Sequence, residues 1–199
     1  MPLIENVPGA TPIDNISGLI PTHITTRSEL NEWEAANILK ATGKHLTHKK
    51  QRPISIEWLK KVHKDMFDET WSWAGKFRQS NLNLGADWHS IPEQMKLLVD
   101  DLGHWEIAKD APDIFEQSVR LHHRLVKIHP FENGNGRLAR LVADIYLFDR
   151  EHKLPTWPDK ALIEESDIRK QYISALQAAD KGNYKLLEKF TADLISKAG

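Results

Sequence analysis

His129-Pro130-Phe131-Glu132-Asn133-Gly134-Asn135-Gly136-Arg137-Leu138-Ala139-Arg140 places a titratable base, a glycine-rich turn and two arginines within twelve residues. Glycines at 134 and 136 permit backbone angles and a close approach that side chains forbid, so amides can converge on an anion. The spacing of Leu138, Leu141, Val142, Ile145 and Tyr146 predicts a long helix starting just after them, whose positive end adds to the same spot. Arg137 and Arg140 are three apart on that helix and share a face, within reach of one polyanion. His129, with an ordinary pKa near 6.5, suits proton acceptance at neutral pH. The stretch reads as a base beside a phosphate cradle. It is not a Walker loop, since no Lys-Ser/Thr follows the glycines.

Working outward, the residues before the loop predict a helix from about Asp113, with Phe115, Val119, Leu125 and Ile128 inward, ending ahead of Pro130. Pro92 opens another, with Met95, Leu98, Val99 and Leu102 on its buried face. Ile54-Ser55-Ile56 leads into a helix carrying Leu59, Val62, Met66 and Phe67, and an earlier one starts near Ser28 and runs through Ile38 and Leu39. Asn81 to Ile91 breaks the helical rhythm, with Leu82 and Leu84 alternating with polar residues before Gly85, which suggests a short β-hairpin or flap. Leu154-Pro155-Thr156-Trp157-Pro158 is a stiff connector to two C-terminal helices, about 159–179 and 183–197, separated at Gly182. The expected fold is all-α: a helical bundle with one small β-hairpin flap near the loop. Residues 1–24, with prolines at 2, 8, 12 and 21, read as an extended arm, and 25–199 as a single domain with its core at about 54–197.

Bulk properties narrow the function. A net charge of −1 gives no electrostatic reason to expect nucleic acid or an anionic membrane as the main partner. The basic run Lys44 to Arg52 reads as a solvated loop. The chain has no cysteine, which excludes disulfides, a thiolate nucleophile and Cys-based zinc sites. The ten histidines include His122-His123 and His45 with His48, but neighbours on a helix point about 100° apart, which does not suit zinc geometry. No apolar run approaches a membrane span and no signal pattern opens the sequence, so the expected location is cytoplasmic. The tryptophans at 71, 73, 88 and 105 read as core and flap packing.

The loop resembles the signature of the Fic/Doc family, His-Pro-Phe-x-(Asp/Glu)-Gly-Asn-Gly-Arg-x-x-Arg, at every fixed position but one. Trp73-Ala74-Gly75-Lys76-Phe77-Arg78 resembles a Trp-Ala-Gly-x-Phe-Arg segment common in Fic domains. Pro8-Gly9-Ala10-Thr11-Pro12, Leu19 to Arg27 and Glu29-Leu30-Asn31-Glu32 are similar to the subgroup called mobile mystery protein B. The resemblance implies a nucleotidyltransferase that moves AMP from ATP to a Ser, Thr or Tyr hydroxyl of a target protein. Doc-like γ-phosphate transfer is the alternative chemistry; Doc carries lysine at the second motif glycine, whereas Gly136 is intact here. A non-catalytic nucleotide-binding module is the alternative of another class.

In this reading His129 takes the proton from the target hydroxyl, and Asn135 orients the α-phosphate beside the amides of Gly134 and Gly136. Arg137 and Arg140 hold the outer phosphates, and Pro130 and Phe131 shape the loop. Asn133 stands where the family carries the carboxylate that binds magnesium. An amide oxygen contributes no charge and hard cations favour carboxylates, so weakened magnesium binding or a changed substrate is expected, with rescue by Glu132 disfavoured because adjacent residues point apart. The resemblance also implies that the flap, through His89, Ser90 and the clamping residue Ile91, registers a target peptide by strand addition. The alternative for Ile91 is inward packing ahead of Pro92. Many family members are silenced by an inhibitory helix, (Ser/Thr)-x-x-x-Glu-(Gly/Asn), whose glutamate pairs with the second arginine. That motif is absent here. Glu29, Glu32 or Glu34 offers a divergent version, but the expectation is that Arg140 is free, and that any silencing comes from a separate helix-turn-helix, antitoxin-like partner.

Overall fold

The Thr26 hydroxyl accepts the Glu29 amide while the Glu29 carboxylate accepts the Thr26 amide, a reciprocal cap that starts α1 (Arg27–His45). The helix therefore begins one residue before Ser28 and runs well past Leu39. In the computed structural model, which describes residues 17–50 and 52–196, seven more helices follow. They are α2 (Ile56–Phe67), α3 (Ile91–Trp105), α4 (Ile114–Ile128), α5 (Asn135–Asp149), α6 (Asp159–Ile163), α7 (Asp167–Asp180) and α8 (Lys185–Ser196). Ser55, Asp113 and Ser166 cap α2, α4 and α7 through side-chain oxygens on the third backbone amide beyond. The helix expected over 159–179 is thus two helices, because Ser166 starts a new one. Most of the proline-rich arm lies outside the described residues; Leu19 makes an isolated antiparallel bridge with Trp71.

The antiparallel pair α4 and α5, joined by the motif loop, forms the centre of the bundle. Leu121, Leu125, Leu138, Val142 and Ile145 fill the space between them and α2 and α3, which contribute Leu59, Val62, Met66, Ile91, Met95 and Leu98. On the other side Val119 meets a second cluster from α6, α7 and α8 with Leu162, Tyr172, Ala175 and Leu187. α1 lies against α2 and is fixed there by polar bonds: Asn37 donates to the Asp65 carbonyl and accepts the Glu69 amide, and His45 bonds Asp65 at 2.9 Å.

The expected β-hairpin is not what forms between Arg78 and Ile91: the segment has no strand pairing and ends in a single 3-10 turn at Trp88–Ser90. The physical reason is Arg78. Its side chain is 2% exposed, and its guanidinium binds the carbonyls of Ser80 and Ala86, so the segment wraps round a buried cation instead of pairing with itself. Ile91 is fully buried at the start of α3, packing inward rather than projecting as a clamp.

Candidate active site

The loop between α4 and α5 is shaped by three side chains. His129 terminates α4 in the left-handed conformation, φ 54° and ψ 58°, and Gly134 repeats that turn before α5 at φ 77°. Gly134 has no alternative, because a Cβ there would stand 2.4 Å from the Phe67 ring. Gly136 differs: a Cβ would meet nothing nearer than Arg140 at 3.8 Å, so the chain itself does not require this glycine.

Asn135 overturns part of the expectation. It is 1% exposed, and its amide both accepts from the Phe131 N–H at 2.9 Å and donates to the Phe131 carbonyl at 2.8 Å. It braces the loop, and is not turned toward a phosphate. The third side chain, His63 on α2, was missed in the sequence. Fully buried and stacked 3.7 Å from Phe131, it accepts the Gly75 amide at Nδ1 and donates from Nε2 to the Asn133 carbonyl. Burial pushes its pKa down to about 3, so it is a neutral spacer between the Trp-Ala-Gly segment and the loop. The only signal was its place on the apolar face of α2.

His129 and the loop open on a cavity of about 870 Å³ bounded by α1, α5, α6 and α7. The His129 ring is nearly buried, and Nδ1 lies 3.0 Å from the Val126 carbonyl. A carbonyl only accepts, so Nδ1 carries the proton and Nε2 keeps its lone pair. Burial lowers the pKa below 6.5, with the nearby Arg78 charge acting the same way and the Val126 bond opposing. The ring is therefore in its basic form at pH 7. Facing it, the amides of residues 135–137 precede the first bond of α5, Leu138 N–H to Gly134 carbonyl, and constitute the positive end of that helix.

Both arginines line the same cavity, and both are held by carboxylates. Arg137 donates to Glu34 of α1 at 2.6 Å, and Glu34, 1% exposed, also accepts the Trp71 indole N–H at 2.7 Å. Arg140 donates to Asp159 at the start of α6 at 3.0 Å, hydrogen-bonds the Tyr172 hydroxyl, and lies 5.9 Å from the Trp157 ring. The expectation of a free Arg140 is thus overturned, though by an aspartate after the motif and not by a glutamate of a preceding helix. Of the three candidate glutamates on α1, Glu34 enters the site, and it holds the first arginine instead of the second.

Behind Arg140, His122 Nε2 and the Tyr172 hydroxyl share a hydrogen bond of 2.7 Å, and burial, with the Arg140 charge acting the same way, pushes the His122 pKa down to about 3, so it is neutral. Asp144 accepts the Trp157 indole N–H at 3.0 Å and is pushed up to about 8 by burial, so it is protonated at pH 7. Neither was singled out as part of the site from the sequence, because their spacing to the motif is only a helical one. His123 turns away to Asp180 and Tyr184.

The residues present do not fit a hard dication. Asn133 offers one neutral oxygen, which already accepts the Gly134 amide at 2.6 Å. Of the acids lining the cavity, Glu34 and Asp159 hold the arginines, Asp144 is bound to Trp157, and Glu164 and Glu165 are exposed after α6, while Glu132 does not line it; among the described residues no three acids or histidines cluster as a metal site. His89, Ser90 and Ile91 also lie outside the lining. His89 is exposed and bonds Asp87 at 3.0 Å, and Ser90 donates to the Asp87 carbonyl.

Fold and site together define a helical domain that presents a histidine and the amide end of a helix to one cavity. Residues 53–147 match the sequence profile described as Fic/DOC family, and the chain carries a Fic/DOC family domain. A protein adenylyltransferase Fic from Aedes aegypti is 29% identical over 122 residues, covering 60% of this chain and 23% of its own length. Fic-1 (residues 134–508) from C. elegans shares the fold with a TM-score of 0.69 at 22% identity, over 92% of this chain and 53% of its own. BepC from Bartonella tribocorum, solved with bound AMPPNP, superposes with a TM-score of 0.64 at 18% identity, over 86% and 88% of the two chains. The chain spans about a quarter of the length of the curated relatives it matches.

Proposed function

We propose that this chain is a Fic-type nucleotidyltransferase that transfers AMP from ATP to a hydroxyl of a target protein. The observation that carries the reading is the convergence of the His129 ring, the amide end of α5, Arg137 and Arg140 on one cavity. Supporting it are the adenylyltransferase name of the Aedes aegypti relative and the nucleotide analogue bound to BepC. The base and ribose would occupy the apolar end of the cavity, among Ile38, Leu39, Leu162 and Ile173. The phosphates would run to the α5 amides and the arginines. The target hydroxyl gives its proton to His129 Nε2 as its oxygen bonds to the α-phosphorus. The bond from that phosphorus to the bridging oxygen breaks, and pyrophosphate leaves. The α5 amides stabilise charge developing on the α-phosphoryl oxygens.

Arg137 and Arg140 must exchange a carboxylate for phosphate oxygens in the course of binding. Magnesium does not enter any step, since the donor set does not fit it. A location in the cytoplasm and a separate helix-turn-helix partner belong to the same proposal; the partner rests on the subgroup resemblance. Doc-like transfer is disfavoured by the intact Gly136. Incubation of wild type and His129→Ala with α- and γ-labelled ATP, together with cell lysate, tests the reading. Label from α-labelled ATP alone, lost in His129→Ala, is expected. Label from the γ-position alone, or equal signal from both proteins, would overturn it.

A further inference from the structure

The cation nearest to the carbonyl of His129 belongs to a segment 51 residues upstream. Ending α4 at a left-handed His129 exposes its last carbonyls, which the helix can no longer satisfy. The segment 78–86 takes them in order. The Ala86 amide donates to the Ile128 carbonyl at 3.1 Å, Arg78 Nε donates to the His129 carbonyl at 2.7 Å, and the Arg78 amide donates to the Pro130 carbonyl at 3.0 Å. Gly85 closes the clamp from the side: at φ 96°, a Cβ on it would stand 2.4 Å from His129 Cβ and 3.0 Å from the Ile128 carbonyl. A non-glycine residue adopts the left-handed region only where its surroundings over-determine it. Here the His129 amide and ring are tied back to the Leu125 and Val126 carbonyls of α4, and one guanidinium and one glycine close on the other side.

We propose that Arg78 is a positioning residue for His129: with Gly85, it fixes the backbone of the histidine so that the ring is held over the cavity. This rests on the reading of His129 as the proton acceptor. The burial of Arg78 supports it, since a fully desolvated cation is tolerated only where several oxygens surround it. Its fork reaches Ser80 and Ala86 as well as His129, so the loop conformation and the histidine are set by the same group. Lysine has the charge without the fork, and one ammonium does not reproduce three diverging donors. A displacement of the ring by about 1 Å is sufficient to cost on the order of 100-fold in rate.

The test uses the full chain as wild type, Arg78→Gln, Arg78→Lys, Gly85→Ala and His129→Ala. Isotope-labelled protein gives the backbone shifts and coupling of His129 and the titration midpoint of its ring; ATP affinity and the rate of α-label transfer at saturating ATP are measured beside them. For Arg78→Gln we expect loss of the left-handed signature at His129, an upward move of the ring midpoint, ATP affinity within threefold of wild type, and a rate at least 100-fold lower. Arg78→Lys restores the midpoint in part but leaves the rate more than tenfold down. Gly85→Ala, which changes no charge, reproduces the rate loss and carries the test if Arg78→Gln does not fold. Retention of the His129 signature and of the rate within threefold in either folded variant overturns the proposal, as does a parallel collapse of ATP affinity and rate. Should His129→Ala label as well as wild type, the assignment of the base fails. The His129 signature in Arg78→Gln then still decides whether Arg78 positions that residue.

Discussion

Replacing Glu34 by glutamine separates its two bonds. The carboxylate serves two donors, the buried Trp71 indole N–H at 2.7 Å and the half-buried Arg137 at 2.6 Å, and its side chain is 2% exposed against 19% for Arg137. Glutamine keeps one oxygen. Set toward Trp71, it turns its own amide hydrogens on the arginine, and the cheaper resolution is for Arg137 to swing into the cavity. Phosphate binding then no longer has to break a charge-assisted hydrogen bond, worth about 1.5–3 kcal/mol. ATP should therefore bind about 10- to 100-fold more tightly to Glu34→Gln, by the usual factor of ten per 1.4 kcal/mol. Stability should fall at the same time by about 2 kcal/mol, which lowers the Tm of a domain this size by about 4–8 °C. Titration calorimetry with ATP and thermal unfolding measure the two quantities. Unchanged or weaker ATP binding with a lowered Tm would refute the reasoning and make Glu34 a purely structural acceptor. In Glu34→Gln/Arg137→Ala the gain should vanish, because nothing is left to release.

The matching change at the second arginine, Asp159→Asn, should tighten ATP by less than about threefold, since the Asp159 side chain is 68% exposed and such pairs contribute little. Chelation with EDTA should change ATP affinity of the wild type by less than about threefold, whereas Asn133→Asp should make it clearly magnesium-dependent; the same calorimetry decides both. For stability against pH, His63 and His122 have folded pKa values of about 3 against 6.5 unfolded, so below 6.5 only the unfolded chain takes up protons and stability falls. Asp144, raised to about 8 from 3.8, acts oppositely and regains stability as pH falls through the same range. From pH 6.5 to 5 each of these histidines costs about 2 kcal/mol and Asp144 returns about 2, so urea unfolding should show the loss over that range in Asp144→Asn exceed that of wild type by about 2 kcal/mol. The acid limb of the transfer rate should be centred below pH 6.5, because burial depresses the His129 pKa; a limb above 7 would exclude His129 as the base.

The helices were legible because each buries one face: the positions at 59, 62 and 66, at 95, 98 and 102, and at 138, 142 and 145 are all in the core. Their ends were legible where a single residue sets them, as at Asp113 and Pro92. What failed has a common cause. The alternation around Leu82 and Leu84 suggested a hairpin, but a strand needs its carbonyls for a partner strand, and those of Ser80 and Ala86 are taken by Arg78. Likewise Asn135 has the chemistry of a phosphate ligand, yet both of its polar atoms are spent on Phe131. Glu34 and Asp159 lie 103 and 19 residues from the arginines they hold, and no local pattern reports a pairing at such separation. The motif points to the groups assigned here to the chemistry. It is silent on how each is occupied at rest.

Those resting partners differ in a way that orders events at the site. Arg140 faces a mostly exposed aspartate, whose attraction is weakened by water and salt, so an arriving phosphate displaces it at small cost. Arg137 faces a buried glutamate on α1 that is itself tied to Trp71, and displacing it leaves a desolvated carboxylate behind. The nucleotide should therefore engage Arg140 first and Arg137 only when the environment of Glu34 changes. Since α1 is fixed to α2 through Asn37 and the Asp65–His45 pair, a small shift of α1 is the movement that would release it. Under the proposed function, the tightness of ATP binding should thus be set by Glu34 on α1, outside the motif itself.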